Sequence, residues 1–365
     1  MRVLIAPDKF AGTLTAVEAA QAIAAGWRRH APGDELDLAP MADGGPGFVD
    51  VLHDALGGDL LAVTATGPYG EPVPAGIVRV DGTAYVEAAQ ACGLHLTPQA
   101  ERRPEQATSR GVGDLVRLAV GAGALRVVVG LGGSATNDGG AGLLAALGAS
   151  SEPEGALDGG PTSLAGLESV DLRRARSLVH DVELVVATDV DNPLLGLTGA
   201  TNVFGPQKGV AEDRLQAVDA MLGRLADATD KSVARARGAG AAGGLGFALQ
   251  LLGGRRTAGV ELVAEAIGLP GRAARADLVI TGEGSFDFSS RAGKVPYGVA
   301  ALAGRALQPC VALAGRVLVG AREMRTLGVE SAYSMVDLVG EQASLDDPAG
   351  SLAALAERVA RTWSR

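Results

Sequence analysis

Apolar positions along the chain fall into two alternating rhythms, and their order predicts the architecture. Residues 2–6 (RVLIA) form a short aliphatic run closed by Pro7-Asp8-Lys9, the pattern of a buried strand. AVEAAQAIAAGW follows with apolar residues in helical register, predicting a helix over about 15–29. Residues 35–39 (ELDLA) repeat the strand pattern and 48–56 (FVDVLHDAL) the helical one, so the chain opens β-α-β-α, which argues for a parallel sheet. Beyond residue 60 the rhythm changes. Short alternating runs to about residue 96 are broken by Gly-Pro, Tyr-Gly and Asp-Gly turns, which predict antiparallel hairpins, Asp81-Gly82 being the clearest turn.

A helix near 113–121 leads into VVVG at 127–130, a β-branched run with the pattern of a buried strand. GGSATNDGG then turns into AGLLAALG, a helix stopped by Gly148. Polar loops run to about residue 166, a strand follows at 183–188, and 189–209 reads as a long loop broken by glycine and proline. An amphipathic helix is predicted over 212–233, then a glycine turn into another helix. At residue 276 the β-α alternation returns: the strand DLVIT, a glycine-rich stretch, the helix VPYGVAALAGRAL, the strands CVALAG and ESAYSMVD, and a closing helix. The fold class is therefore α/β with two domains. One is a Rossmann- or flavodoxin-like parallel domain built from both chain ends, residues 1–58 and 273–365; the other is an inserted mixed-sheet α/β domain, residues 59–272.

A length of 365 residues and an apolar fraction of 47% suit two such domains with sizeable cores. The net charge of −10, without any basic run, argues against a nucleic-acid surface while leaving room for a small anionic substrate held by a few cations. No apolar run reaches transmembrane length and the first residues are charged too early for a secretory signal, so the expectation is a cytoplasmic protein without a membrane partner, monomeric or homodimeric. Cys92 and Cys310 lie far apart with no Cys or His at ligand spacing, which argues against structural zinc and for a reducing compartment.

The glycine turn between strand and helix at 130–140 has the form of a phosphate cradle, because the first N–H groups of a helix have no internal partner. A tight turn that needs glycine only for its dihedrals is the competing explanation; Asn137-Asp138 weigh for chemistry. No Lys-Ser or Lys-Thr pair follows, so this is not a Walker A loop. Gly130, Gly132 and Ala135 fit G-x-G-x-x-A, with Glu152 and Glu154 near where a ribose-binding acid is expected, which keeps an NAD(P)-dependent oxidoreductase as an alternative.

Acids recur at strand ends: Asp8, Asp43, Asp138, Asp189, Glu283 and Asp287, set among glycines with Ser134, Asn137 and Asn192. Acids aimed at a common cleft suit Mg²⁺ and a base for a hydroxyl. Lys9, Lys208, Arg291 and Lys294 interleave with them and suit a phosphoryl donor or a carboxylate substrate. The four histidines lie outside the glycine-rich loops, and neither a G-x-S-x-G elbow nor H-E-x-x-H is present. A carboxylate is the natural base.

The blocks APDKFAGTLTA (6–16), PMADGGPG (40–47), GLGGSATNDGGAG (130–142), DVDNPLLGLTGATNVFGPQKG (189–209), GAGAAGGLG (238–246) and DLVITGEGSFDFSSRAGKVPYGVA (277–300) together resemble the bacterial glycerate kinase family of the type called class I. The resemblance implies ATP-dependent phosphorylation of D-glycerate with Mg²⁺, giving 2-phosphoglycerate in most members, and two α/β domains with the active site between them. On that basis ATP is assigned to Gly132, Gly133, Ser134, Asn137, Asp138, Gly139 and Lys208, and Mg²⁺ to Asp189. Asp43 or Asp189 accepts the hydroxyl proton, and substrate is held by Asp8, Lys9, Glu283, Asp287, Arg291 and Lys294. Departures from the family pattern are Lys9 before Phe10 with Ala11 at the usual lysine, Pro46 where glutamate is frequent, and Phe288-Ser289. A 3-phosphoglycerate product and a non-catalytic sugar-acid binding protein are further alternatives.

Overall fold

The computed structural model describes residues 1–10, 12–287 and 294–364. Its strands are β1 (Arg2–Ile5), β2 (Glu35–Leu38), β3 (Asp59–Thr66), β4 (Pro72–Val80), β5 (Thr83–Glu87), β6 (Arg126–Gly130), β7 (Ser150–Glu152), β8 (Ser169–Asp171), β9 (Glu183–Ala187), β10 (Arg255–Thr257), β11 (Leu278–Phe286), β12 (Cys310–Val317) and β13 (Ser331–Ser334). The chain divides into two compact units: Met1–Asp43, Asp50–Leu56 and Gly259–Arg365 form the first, Gly44–Val49 and Gly57–Ala258 the second.

The first unit is built on a five-stranded sheet in the order β13-β12-β11-β1-β2, every pair parallel. Val3, Ile5, Leu278, Ile280, Val311 and Leu313 on its strands are fully buried, as the unbroken apolar runs of a sheet covered on both faces require. Helix Ala16–His30 starts at a capping box, in which the Thr15 hydroxyl accepts from the Glu18 N–H and the Glu18 carboxylate from the Thr15 N–H. Its apolar stripe, with Ile23 and Trp27 buried, packs against helix Pro348–Trp363.

The return to this unit falls at Gly259 rather than at the expected 273. Helices Gly259–Ala266 and Leu269–Ala273 pack with helix Val295–Arg305, and the Arg272 guanidinium ties the second of them to β2 through Asp37 at 2.5 Å and the Leu38 carbonyl. β11 also runs five residues past DLVIT, because its register with β12 holds as far as Phe286 opposite Val317. Glu283 thus sits on a strand rather than in a loop.

The second unit carries a six-stranded mixed sheet, β10-β9-β6-β5-β4-β3, with β3–β4 and β4–β5 antiparallel and the remaining pairs parallel. Asp81 (φ 46°) and Gly82 (φ 79°) make the β4–β5 turn, both left-handed, as a two-residue hairpin demands. Val127, Val129, Leu143, Leu222 and Phe247 belong to its core.

Two expectations change here. The stretch read as polar loops to about residue 166 contains β7, which pairs antiparallel with β8 just beyond it in a sheet of its own. The stretch read as one broken loop contains helix Ala200–Lys208. Gly199 and Gly209 (φ 99°) are its two caps, while Pro206 lies inside it and has no N–H to offer the Asn202 carbonyl. Among the described residues no helix is long and apolar enough to cross a membrane. Cys92 and Cys310 are buried free thiols, each pushed up to about 12 by burial.

Candidate functional site

In the first unit a cavity of about 490 Å³ is lined by Asp8, Lys9, Asp43, Glu283 and Lys294, among others. The chain order of these residues reflects the sheet. Asp8 follows β1, Asp43 follows β2, Glu283 lies within β11, and Lys294 caps helix Val295–Arg305. Parallel strands bring such ends to one side, where open α/β sheets bind ligands.

Backbone contacts fix the entrance. The Asp8 N–H donates to the Gly282 carbonyl at 2.8 Å, and the Met41 N–H to the Pro7 carbonyl at 2.9 Å. Gly282 is required: a Cβ there would stand 2.1 Å from the Leu313 carbonyl oxygen. The Lys9 ammonium lies 3.6 Å from Asp8 Oδ1 and 3.8 Å from Asp43 Oδ1, while Lys294 Nζ lies 3.6 Å from Glu283 Oε2. These separations are ion-pair distances, longer than hydrogen bonds. Burial pushes the Asp8 carboxyl up to about 7; Lys9 opposes this, and Asp43 and Glu283 add to it. Asp287 is half-buried and accepts from the Ser285 hydroxyl at 3.4 Å. Arg291 lies outside the described residues, as do Ala11, Phe288, Ser289 and Gly293.

In the second unit the glycine turn follows β6, and most of it is interior. Asp138 is fully buried and accepts from the Ser109 N–H and hydroxyl, both at 2.8 Å, from the Gly140 N–H at 3.0 Å and from the Gly142 N–H at 3.1 Å. Burial raises its pKa and these four bonds oppose the rise. The Leu143 N–H donates to the Ser109 hydroxyl at 3.1 Å. N–H groups in the first turn of helix Ala141–Ala146 are therefore met from within by Asp138 and Ser109.

Ser134, Asn137 and Lys208 also serve the loop itself. The Asn137 amide donates to the Thr201 hydroxyl at 3.0 Å. Lys208, 2% exposed, donates to the Ser134 hydroxyl at 3.1 Å and to the Thr136 carbonyl at 2.6 Å, and burial lowers its pKa to about 8. Gly139 is buried, its N–H donating to the Gly243 carbonyl at 2.9 Å. What the loop presents to solvent is Gly132, half-buried, and Gly133, exposed. Asp189 follows β9 half-buried, whereas Asp191 is taken up by Arg237 and Arg256.

Ser109 and Thr201, which shape this loop, were not singled out in the sequence. Each comes from a distant segment, 29 and 64 residues from its partner, and no spacing signals such a contact. Glu152 lies in β7, outside the six-stranded sheet, so it does not stand at the end of a neighbouring parallel strand as a ribose-binding acid would. Among the described residues no group of three or more His, Cys, Asp or Glu side chains has the arrangement of a metal site.

The chain thus carries one parallel α/β unit whose lysines pair with carboxylates and a second α/β unit with a buttressed glycine loop. The comparisons supply the class. The family model for the glycerate kinase family matches residues 3–364. Glycerate kinase of Bacillus subtilis is 42% identical over 345 residues, covering 92% of this chain and 90% of that protein. Glycerate 2-kinase of Escherichia coli is 40% identical over 351 residues, covering 93% and 92%. A crystal structure from Salmonella typhimurium LT2, of a protein described as glycerate kinase 2, superposes with a TM-score of 0.82 at 36% identity, covering 99% and 98%. The chain belongs to the glycerate kinase family, and it is a kinase. The oxidoreductase and binding-protein alternatives are thereby set aside.

Proposed function

We propose that the protein transfers the γ-phosphoryl group of ATP to D-glycerate, giving 2-phosphoglycerate. The observation that carries this is the first unit's cavity, where Lys9 and Lys294 each face a carboxylate at 3.6 Å. A small hydroxy acid has one carboxylate to be held by such ammoniums and hydroxyls to be held by such acids. The name of the Escherichia coli relative, glycerate 2-kinase, supports O2 as the position phosphorylated.

The nucleotide is assigned to the glycine-rich loop of the second unit, with Gly132 and Gly133 making the phosphate contacts. Ser134, Asn137, Asp138, Gly139 and Lys208 hold that tip in shape from behind. Mg²⁺ is commonly bound through one or two carboxylates together with phosphates and water rather than by an all-protein cage. A half-buried Asp189 at a strand end fits that pattern without any carboxylate cluster. When bound, the ion would neutralise charge on the transferring phosphoryl group. Lys9 and Lys294 orient the acceptor through its carboxylate, which places the hydroxyl for attack.

The test is ADP formation by purified protein with ATP and Mg²⁺, with and without D-glycerate. ADP release that depends on D-glycerate supports the proposal. Release that ignores D-glycerate but responds to another hydroxy acid overturns the substrate.

A further inference from the structure

We propose that Asp8, rather than Asp43 or Asp189, takes the proton from the acceptor hydroxyl as it attacks the γ-phosphorus. The inference rests on the kinase function proposed above and assigns its base. Three carboxylates line the first unit's cavity, and they differ in how they are engaged. Asp43 is on the open side, with 31% of its side chain exposed and Lys9 at 3.8 Å. Glu283 faces Lys294, and both Asp43 and Glu283 take part in further contacts. Asp8 is only 6% exposed, yet it lines the cavity. Its Oδ1 accepts from the Lys9 N–H at 2.8 Å and lies 3.6 Å from the Lys9 ammonium. Among the described residues no hydrogen bond reaches Oδ2. That oxygen is not sealed off, and an accessible carboxylate oxygen on an otherwise buried side chain beside a cavity is placed to accept from a ligand's donor.

The main chain that carries Asp8 is fixed on both sides. Asp8 is pinned to Gly282 and Pro7 to Met41, on either side of a strand in the sheet interior. The charged groups around it are Lys9 from its own loop, Asp43 after β2, and Glu283 of β11 with its partner Lys294. Arg316 of β12 and Glu341 line the same cavity and pair with each other. Burial together with the two neighbouring carboxylates gives Asp8 a proton affinity near neutrality, matched to a base that must accept and then release a proton.

In the step, the acceptor O–H bond breaks and its proton passes to Asp8 Oδ2. The acceptor's own oxygen forms a bond to the γ-phosphorus while the bond from that phosphorus to the β–γ bridging oxygen breaks. The electron pair leaves on ADP, and Asp8 afterwards gives its proton to solvent.

The experiment is kcat and KM for D-glycerate, at saturating ATP and Mg²⁺, across pH 5.5–9 for the wild-type protein, Asp8→Asn and Asp43→Asn. Wild type is expected to lose kcat/KM below about pH 7. Asp8→Asn is expected to lose kcat by about 10²-fold or more, with KM changed only a few-fold and the acid limb gone. Circular dichroism confirms its fold. Asp43→Asn is expected to keep the limb and move it to lower pH, because Asp43 is one of the charges raising Asp8. An Asp8→Asn protein with kcat within tenfold of wild type and the limb intact overturns the inference. So does an Asp43→Asn limb that disappears or moves upward, a result available even if Asp8→Asn fails to fold. A wild-type protein that forms no ADP with D-glycerate fails the kinase proposal itself, which separates the two failures.

Discussion

The Lys208 ammonium donates to the Ser134 hydroxyl at 3.1 Å inside the protein, and the same ammonium reaches the Thr136 carbonyl at 2.6 Å. A lysine that lies in a glycine-flanked stretch in sequence thus braces, from behind, the glycine-rich loop to which the nucleotide is proposed to bind. Lys208→Met, close in shape, leaves the Thr136 carbonyl without its donor. The expected cost is about 1–3 kcal/mol in urea unfolding, together with a raised KM for ATP and an unchanged KM for D-glycerate. An unchanged KM for ATP would contradict the bracing role.

Lys208 also makes a signed pH prediction. Its folded-state pKa of about 8 lies below the ordinary 10.5, so between these values the unfolded chain binds the extra proton. Wild-type stability relative to Lys208→Met should therefore rise as pH increases from 8 towards 10.5. Thermal unfolding of both proteins at pH 7.5, 9 and 10 measures it, and a gap that closes with pH would be the wrong sign.

Asp8 has the opposite linkage. Its folded pKa, about 7, lies above the ordinary 3.8, so its contribution to stability is fully present below 3.8 and is lost as pH rises through 7. Asp8→Asn should then unfold at the same temperature as wild type near pH 4 and at a higher one at pH 8. The difference is on the order of a few kcal/mol. A protein more stable and less active at once is the signature of a strained functional group. Equal melting temperatures at pH 8 would show that Asp8 is not held in an unfavourable state.

Asp138 is structural on this account. Asp138→Ala strands the donors of Ser109, Gly140 and Gly142 in the interior, with an expected loss of about 3 kcal/mol or more. Denaturant unfolding checks this. A loss below about 1 kcal/mol would mean that the cap described here contributes little.

Much of the fold was legible because its signals are local. The apolar run at β1 and the Asp81-Gly82 turn each depend on residues within a few positions, and both were readable. Helix Ala200–Lys208 was not, because glycine and proline mark caps as well as breaks and only the three-dimensional chain distinguishes the two. The site divides the same way. Asp8, Lys9, Asp43, Glu283 and Lys294 were visible as polar groups at strand ends, and the parallel sheet gathers them around one cavity. Burial was invisible: nothing local says that Asp138 and Lys208 face inward, or that the Ser109 hydroxyl meets the Leu143 N–H.

The central claim is the reaction, and phosphorus NMR of a single incubation tests it most directly. Purified protein, ATP, Mg²⁺ and D-glycerate should give ADP and a phosphomonoester signal coincident with 2-phosphoglycerate. A 3-phosphoglycerate signal would keep the kinase and contradict the position of transfer. Unchanged ATP, with no new phosphomonoester, would contradict the account.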